Sequence, residues 1–122
     1  LFPYTTLFRS PVMHSADRYH AKRMVIGGRT SERAVYFDRE TLREAGMQRT
    51  ESFIAVYDED LDTGFIYEKQ GDRRFEYDDG RAVEVDTGNT FAPEELPLPS
   101  VTPIEGFYFA WIAFYPQSEF PQ

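Results

Sequence analysis

The alternation of apolar and polar positions predicts short β-strands along most of the chain. Residues 23–26 and 32–37 are apolar-rich segments on either side of Gly27 and Gly28. Because glycine readily adopts the positive φ of a tight turn, the glycine pair predicts a hairpin that joins these two strands.

A short helix is predicted directly after the hairpin, over residues 38–45. Asp38 is a favourable N-cap, and Gly46 is a favourable residue just beyond the C-terminus. Leu42 and Ala45 give this helix a narrow apolar face, so we expect it to lie at one edge of a sheet.

A meander of further strands is predicted in the middle of the chain. Residues 52–57 are apolar on both faces, which is typical of a central, buried strand. Residues 65–69, 73–77 and 81–86 follow, separated by turns rich in Asp and Gly. Residues 91–100 contain three prolines and are expected to form an ordered coil, because proline removes backbone donors.

The strongest local signal predicts an aromatic helix near the C-terminus. Thr102 to Glu105 form a capping-box pattern with proline at the first helical position, and Pro116 would end the helix. So apolar a helix must be nearly enclosed or must cover another subunit. The side chains expected to anchor it in the core are Phe107, Tyr108, Trp111, Phe114 and Tyr115.

Together these segments predict an α+β fold. We expect a mainly antiparallel β-meander sheet of five or six strands, packed by the C-terminal aromatic helix, with one additional short helix. Residues 23–120 are expected to form a single domain, preceded by an extended lead-in over residues 11–22.

The first ten residues, LFPYTTLFRS, resemble a translated sequencing adapter. Non-native segments are excluded from fold reasoning, so we expect residues 1–10 to contribute nothing to the core. On this interpretation the natural N-terminus is missing, and with it any direct sequence evidence on the compartment.

Composition excludes several classes of protein. The net charge of −8 argues against nucleic-acid binding, which needs clustered Lys and Arg. The chain has no cysteine, so disulfides and thiolate metal sites are excluded. No apolar run approaches the roughly 20 residues of a transmembrane helix. Partners remain open, including a second copy of the chain or a missing N-terminal region.

An acidic turn is the first candidate for chemistry. Asp58, Asp60 and Asp62 alternate as in a calcium loop, and Glu68 follows near the position of the bidentate ligand. Thr63 stands where such a loop needs glycine, so the alternative is a hairpin whose Asp side chains cap turn amides. We expect no cofactor other than, at most, a divalent cation such as calcium.

Two other side-chain groupings are candidates for chemistry. His14, Asp17 and His20 would offer three ligands for a divalent metal, or would simply be exposed. Glu76 and Glu84 lie on neighbouring predicted strands, where a carboxylate pair would suit acid–base chemistry. The simpler alternative is that both carboxylates lie on the outer face of a sheet.

The order of the segments resembles a bacterial and archaeal family called domain of unknown function 3179. The resemblance covers about residues 23–120, and its most distinctive part is the aromatic segment FYFAWIAFYP. The matching stretches are 25–28 (VIGG), 33–37 (RAVYF), 42–46 (LREAG), 53–58 (FIAVYD), Thr63 with Gly64, and 107–116.

The resemblance implies a β-rich fold and an extracytoplasmic setting, and it transfers no established activity. Many members carry a Cys-Pro-Leu-Cys segment where this chain has YDED at residues 57–60, so any thiol-based role is absent here. The family domain is also shortened between residues 77 and 87. We therefore expect an extracytoplasmic binding or accessory module. The alternative is a small hydrolase or metal-assisted enzyme that uses the acidic turns.

Overall fold

The computed structural model describes residues 23–121, in which ten strands form three antiparallel sheets. In chain order the elements are β1 Met24–Arg29, β2 Ala34–Asp38, α1 Arg39–Ala45, β3 Met47–Arg49, β4 Phe53–Asp58, β5 Thr63–Glu68, β6 Phe75–Asp78, β7 Arg81–Glu84, β8 Thr90–Phe91, a 3₁₀ turn Pro93–Glu95, β9 Ser100–Val101, β10 Ile104–Phe107 and α2 Tyr108–Phe114.

The first sheet has the strand order β10-β1-β2, the second β3-β4-β5-β9 and the third β6-β7-β8. The second sheet contributes to two hydrophobic cores. Ala55 and Ile66 belong to the core shared with the first sheet and α1, and Ile54 and Tyr67 to the core shared with the third sheet. All six residues of β4 are buried, which confirms the predicted central strand.

The caps predicted for the short helix are confirmed. The Asp38 carboxylate accepts a hydrogen bond from the Thr41 N–H at 3.0 Å, and Gly46 ends α1 with a φ of 82°. The Gly46 N–H donates to the Leu42 carbonyl at 2.7 Å. Leu42 is fully buried and attaches the helix to the core between the first and second sheets.

The predicted hairpin is confirmed, since β1 pairs with β2, but the placing of its turn at the glycine pair is wrong. Gly27 and Gly28 lie inside β1, and the chain turns later, where the Thr30 N–H donates to the Arg33 carbonyl at 2.7 Å. The glycines serve close packing instead, since a β-carbon at Gly27 would lie 2.6 Å from the Trp111 ring. The two glycines therefore leave room for side chains that pack against β1. No local sequence pattern reveals this role.

The predicted start of the aromatic helix is also wrong. Ile104 and Glu105 of the expected capping box lie in β10, which pairs with β1, and the helix begins only at Tyr108. The Glu105 carboxylate accepts a hydrogen bond from the Thr63 hydroxyl at 2.9 Å and does not cap a helix. Pairing with β1 thus outweighs the local helix signal.

The α+β class with mainly antiparallel pairing is confirmed, although the strands are more numerous than expected and form three sheets. Within residues 23–121, no helix has the length and apolar character needed to cross a bilayer. Residues 1–10, the lead-in 11–22, and with it the grouping of His14, Asp17 and His20, lie outside the described residues.

Candidate functional site

A cleft of about 350 Å³ opens beside the first sheet, on the face that α2 covers. Val25 lies opposite Asp38 in the β1–β2 register, so the two side chains share this face. We call this site the aromatic cleft. It is lined by Arg23, Val25, Tyr36, Asp38, Thr41, Gln48, Tyr108, Phe120 and Pro121.

Three aromatic rings form one wall of the aromatic cleft. The Tyr36 ring packs edge-on against Tyr108 at a centroid distance of 5.3 Å and stacks with Phe120 at 5.6 Å. The backbone of Glu119 holds this arrangement, because it accepts a hydrogen bond from the Tyr36 N–H and donates to the Ala34 carbonyl. The C-terminal segment is thereby tied to β2, and Phe120 is brought over the sheet.

An ion pair forms the polar side of the aromatic cleft. The Arg23 guanidinium donates two hydrogen bonds to the Asp38 carboxylate, at 3.1 and 2.7 Å. Partial burial alone would raise the pKa of Asp38, but hydrogen bonds from Arg23 and Thr41 outweigh it and lower this pKa. Asp38 therefore stays ionised at neutral pH, and the charge of Arg23 compensates its charge.

The Tyr36 phenol and the Gln48 amide are uncharged polar groups of the aromatic cleft. Burial and the neighbouring Tyr108 raise the pKa of the Tyr36 phenol, so it keeps its proton. The Oε1 atom of Gln48 is buried without a hydrogen-bond partner among the described residues. Buried polar atoms are normally paired, so this oxygen is a candidate acceptor for a ligand donor.

The Arg23–Asp38 pair predicts a specific acid dependence of stability. Replacing Asp38 with asparagine keeps a good N-cap but removes the ion pair, and should lower the free energy of unfolding by about 1–2 kcal/mol at neutral pH. Because the folded pKa of Asp38 is lowered, this difference should be present above pH 4 or so and vanish as the pH falls through the folded pKa.

Urea denaturation of both proteins between neutral and strongly acidic pH measures this difference. Asp86→Asn is the matched control, since the Asp86 carboxylate is 60% exposed and 3.8 Å from Arg74. A constant difference between the Asp38 variant and the parent at every pH would contradict the assignment.

The acidic turn is held together by its own contacts. The Asp58 carboxylate accepts hydrogen bonds from the backbone N–H groups of Asp60 and Leu61, at 2.9 and 3.3 Å. The Asp62 carboxylate accepts a hydrogen bond from the Tyr57 hydroxyl and pairs with Arg39 at 2.8 Å. These contacts correspond to the turn-capping alternative.

Glu68 lies far from the acidic turn. It pairs with Phe53 at one end of the β4–β5 hairpin, whereas Asp58 pairs with Thr63 at the other. Thr63 and Glu68 are five residue steps apart along β5, which corresponds to roughly 17 Å. Within residues 23–121, no three His, Asp or Glu side chains are grouped closely enough to hold a metal ion.

The predicted pair of Glu76 and Glu84 is not brought together. Glu84 lies directly opposite Phe75 in the β6–β7 register, so Glu76 points to the other face of the third sheet. The Glu84 side chain is buried and accepts two hydrogen bonds from Arg73, at 2.9 and 3.0 Å. Placing Glu84 on the outer face was therefore wrong, because its ion pair with Arg73 compensates for burial.

Of the five residues expected to anchor the aromatic helix in the core, only Trp111 is buried. Trp111 is buried and donates a hydrogen bond from its indole to the Ser118 hydroxyl at 3.0 Å. Tyr108 lines the aromatic cleft, and Tyr115 packs against the Trp111 ring at 4.5 Å. Phe107 and Phe114 are 48% and 78% exposed.

Sequence reasoning missed the aromatic cleft as a site. The residues come from three separate segments, Tyr36 and Asp38 from β2, Gln48 from β3 and Phe120 from the C-terminal segment, and they form no motif. The sequence pattern indicates Asp38 only as a helix cap and Tyr36 only as part of a strand. Alternation along β2 could have placed these two side chains on one face, but nothing local pointed to Gln48 or Phe120.

The fold and the cleft define a small, mainly antiparallel α+β domain. The family model described as "Protein of unknown function (DUF3179)" matches residues 4–118, and the chain belongs to this family. The resemblance drawn from the sequence is thereby confirmed. No curated protein and no solved structure matches the chain. The adapter origin of residues 1–10 and the division into segments stay predictions.

Proposed function

We propose that this chain is a non-enzymatic binding or accessory module that acts outside the cytoplasm and holds an uncharged ligand in the aromatic cleft. The observation that carries the proposal is the combination of three packed aromatic rings with a matched ion pair and a buried, unpartnered amide oxygen. Family resemblance is the support for the extracytoplasmic setting, and fractionation of cells that express the natural gene tests it.

The volume and lining of the aromatic cleft suit a small ligand or a short segment of a larger one. Its 350 Å³ falls at the lower end of the usual range for ligand pockets, roughly 300–1,000 Å³. The Tyr36 and Phe120 rings offer flat apolar surface, and Gln48 offers an acceptor. A flat ligand that carries one hydrogen-bond donor matches these groups.

The electrostatics of the aromatic cleft favour a neutral ligand. The charges of Arg23 and Asp38 compensate each other through two hydrogen bonds. A charged ligand that enters the cleft would lose its hydration. It would find no uncompensated charge of opposite sign to replace the lost water contacts. In the acidic turn, the Asp58 carboxylate accepts from turn amides and the Asp62 carboxylate pairs with Arg39, which favours the binding module over acid–base chemistry at that turn.

A test of the proposal uses three probes that share a ring and differ in charge: phenol, benzoate and benzylammonium. Phenol should perturb the backbone NMR signals of Tyr36, Gln48 and Phe120, and the two ions should bind several-fold more weakly. Phe120→Ala should weaken phenol binding by about 2–10-fold, because an aromatic contact contributes roughly 0.5–1.5 kcal/mol.

Phe109→Ala is the matched control, since Phe109 and Phe120 are similarly exposed, at 56% and 48%, and only Phe120 lines the cleft. The control should bind phenol as the parent does. Equal binding of all three probes would contradict a neutral site, and equal binding by both variants would contradict its location.

A further inference from the structure

A second cavity, of about 220 Å³, lies between the second and third sheets, on the other side of β3 from the aromatic cleft. Successive side chains of β3 point to opposite faces, so Gln48 lines the aromatic cleft and Arg49 lines this cavity. We call it the basic pocket. Its lining residues are Arg49, Ile54, Lys69, Arg73, Arg74, Phe75, Glu76, Val85 and Leu98.

The basic pocket carries excess positive charge on a chain whose net charge is −8. Four cationic side chains line it, against the single carboxylate of Glu76. Two of the cations are compensated from outside the lining, Arg73 by Glu84 at 2.9 Å and Arg74 by Asp86 at 3.8 Å.

Arg49 and Lys69 are not compensated in this way. Arg49 donates to the Phe75 carbonyl and the Met47 sulfur, and the Lys69 ammonium donates to the Thr50 carbonyl at 2.8 Å. Neither forms an ion pair with a carboxylate among the described residues. A guanidinium has five donors and an ammonium three, so both side chains have donors left for an anion.

The remainder of the lining is apolar. Ile54 and Phe75 are buried, at 3% and 2% exposure, and belong to the core between the second and third sheets. Leu98 packs against the same core, and Val85 is 40% exposed. An inorganic anion would leave the accessible apolar surface of Val85 and Leu98 uncovered, whereas an anion with an apolar tail would cover it.

We propose that the basic pocket binds a small organic carboxylate with an apolar tail, its carboxylate held by Arg49 and Lys69 and its tail lying on Val85 and Leu98. Planar guanidinium groups match the geometry of a carboxylate, and an ammonium adds a compact charge. The carboxylate would come either from a free short-chain acid or from the C-terminus of a peptide. The proposal is independent of the aromatic cleft, which shares no lining residue with this pocket.

The experiment is a calorimetric titration of the whole chain at low ionic strength with hexanoate, 1-hexanol and inorganic phosphate. Hexanoate should bind at millimolar or lower concentration and at least fivefold more tightly than the other two probes. Added salt should weaken its binding, because the contact is electrostatic. A further titration with N-acetylleucine distinguishes the sources, since tighter binding than hexanoate indicates a peptide C-terminus and weaker binding a free acid.

Two variants locate the site. Arg49→Gln and Lys69→Gln should each weaken hexanoate binding about tenfold, and Lys69→Gln retains an amide donor for the Thr50 carbonyl. Arg81→Gln is the charge-matched control, because Arg81 is exposed and lies outside the pocket lining. Thermal unfolding followed by circular dichroism shows that each variant is folded.

Three results would overturn the proposal. Hexanol binding as tightly as hexanoate would remove the role of the charge, and phosphate binding as tightly would remove the role of the tail. Equal hexanoate affinity of folded Lys69→Gln, the Arg81 control and the parent would place the site elsewhere.

Discussion

Replacing Trp111 with alanine is expected to lower the free energy of unfolding by about 3–5 kcal/mol, the usual cost of truncating a large aromatic core residue. Trp111 is 7% exposed, and its ring lies close to the backbone of Gly27 on the face of the first sheet. The truncation would also leave the Ser118 hydroxyl without the indole donor. Trp111 is the one buried residue of α2, so its truncation should loosen the attachment of the helix to the sheet.

Phe114→Ala is the matched control within the same helix. Phe114 is 78% exposed, so its truncation should change the free energy of unfolding by less than about 0.5 kcal/mol. Because the chain has a single tryptophan, urea unfolding must be followed by circular dichroism and not by indole fluorescence. Similar losses in both variants would mean that α2 is enclosed on all sides, as its composition alone suggests.

Replacing Gly46 with alanine is the second substitution with a large expected effect. Gly46 has a φ of 82°, a conformation that costs an L-residue about 1–2 kcal/mol. A β-carbon there would also overlap the Tyr77 ring, and such overpacking costs typically about 1–3 kcal/mol. The two costs add because one concerns the backbone and the other a contact between α1 and the third sheet.

Gly88→Ala separates these two costs. Gly88 has a φ of 75°, and a β-carbon there would meet nothing within 4 Å. Its substitution should show only the backbone cost, so Gly46→Ala should be the more destabilising by about 1–3 kcal/mol in urea unfolding. Equal losses would mean that the Tyr77 ring does not pack on Gly46.

The parts of the fold that follow from neighbouring residues were predictable. The cap by Asp38, the end of α1 at Gly46 and the turn amides bound by Asp58 all involve groups a few residues apart. The burial of β4 on both faces was visible as an uninterrupted apolar run. Side chains and backbone within one turn decide such features, so the sequence pattern is sufficient for them.

The errors arose where a distant strand competes with a local signal. The capping-box pattern at residues 102–105 is a genuine helix signal, yet Ile104–Phe107 pairs with β1, some eighty residues earlier in the chain. Gly27 and Gly28 suit a turn equally well, but the approach of Trp111 and Val101 makes them necessary within a strand. Non-local pairing and packing decided both cases.

The sequence by itself determined the fold class, the family, the caps of the short helix and the absence of thiol chemistry. Only the tertiary structure decided the two candidate sites, because each combines side chains from segments with no common motif. Tyr36 meets Phe120 through the pairing of β2 with the C-terminal segment, and Arg49 and Lys69 come to line one pocket beside the second sheet. Local patterns record which residues alternate or cap, whereas sites of this kind depend on which strands become neighbours.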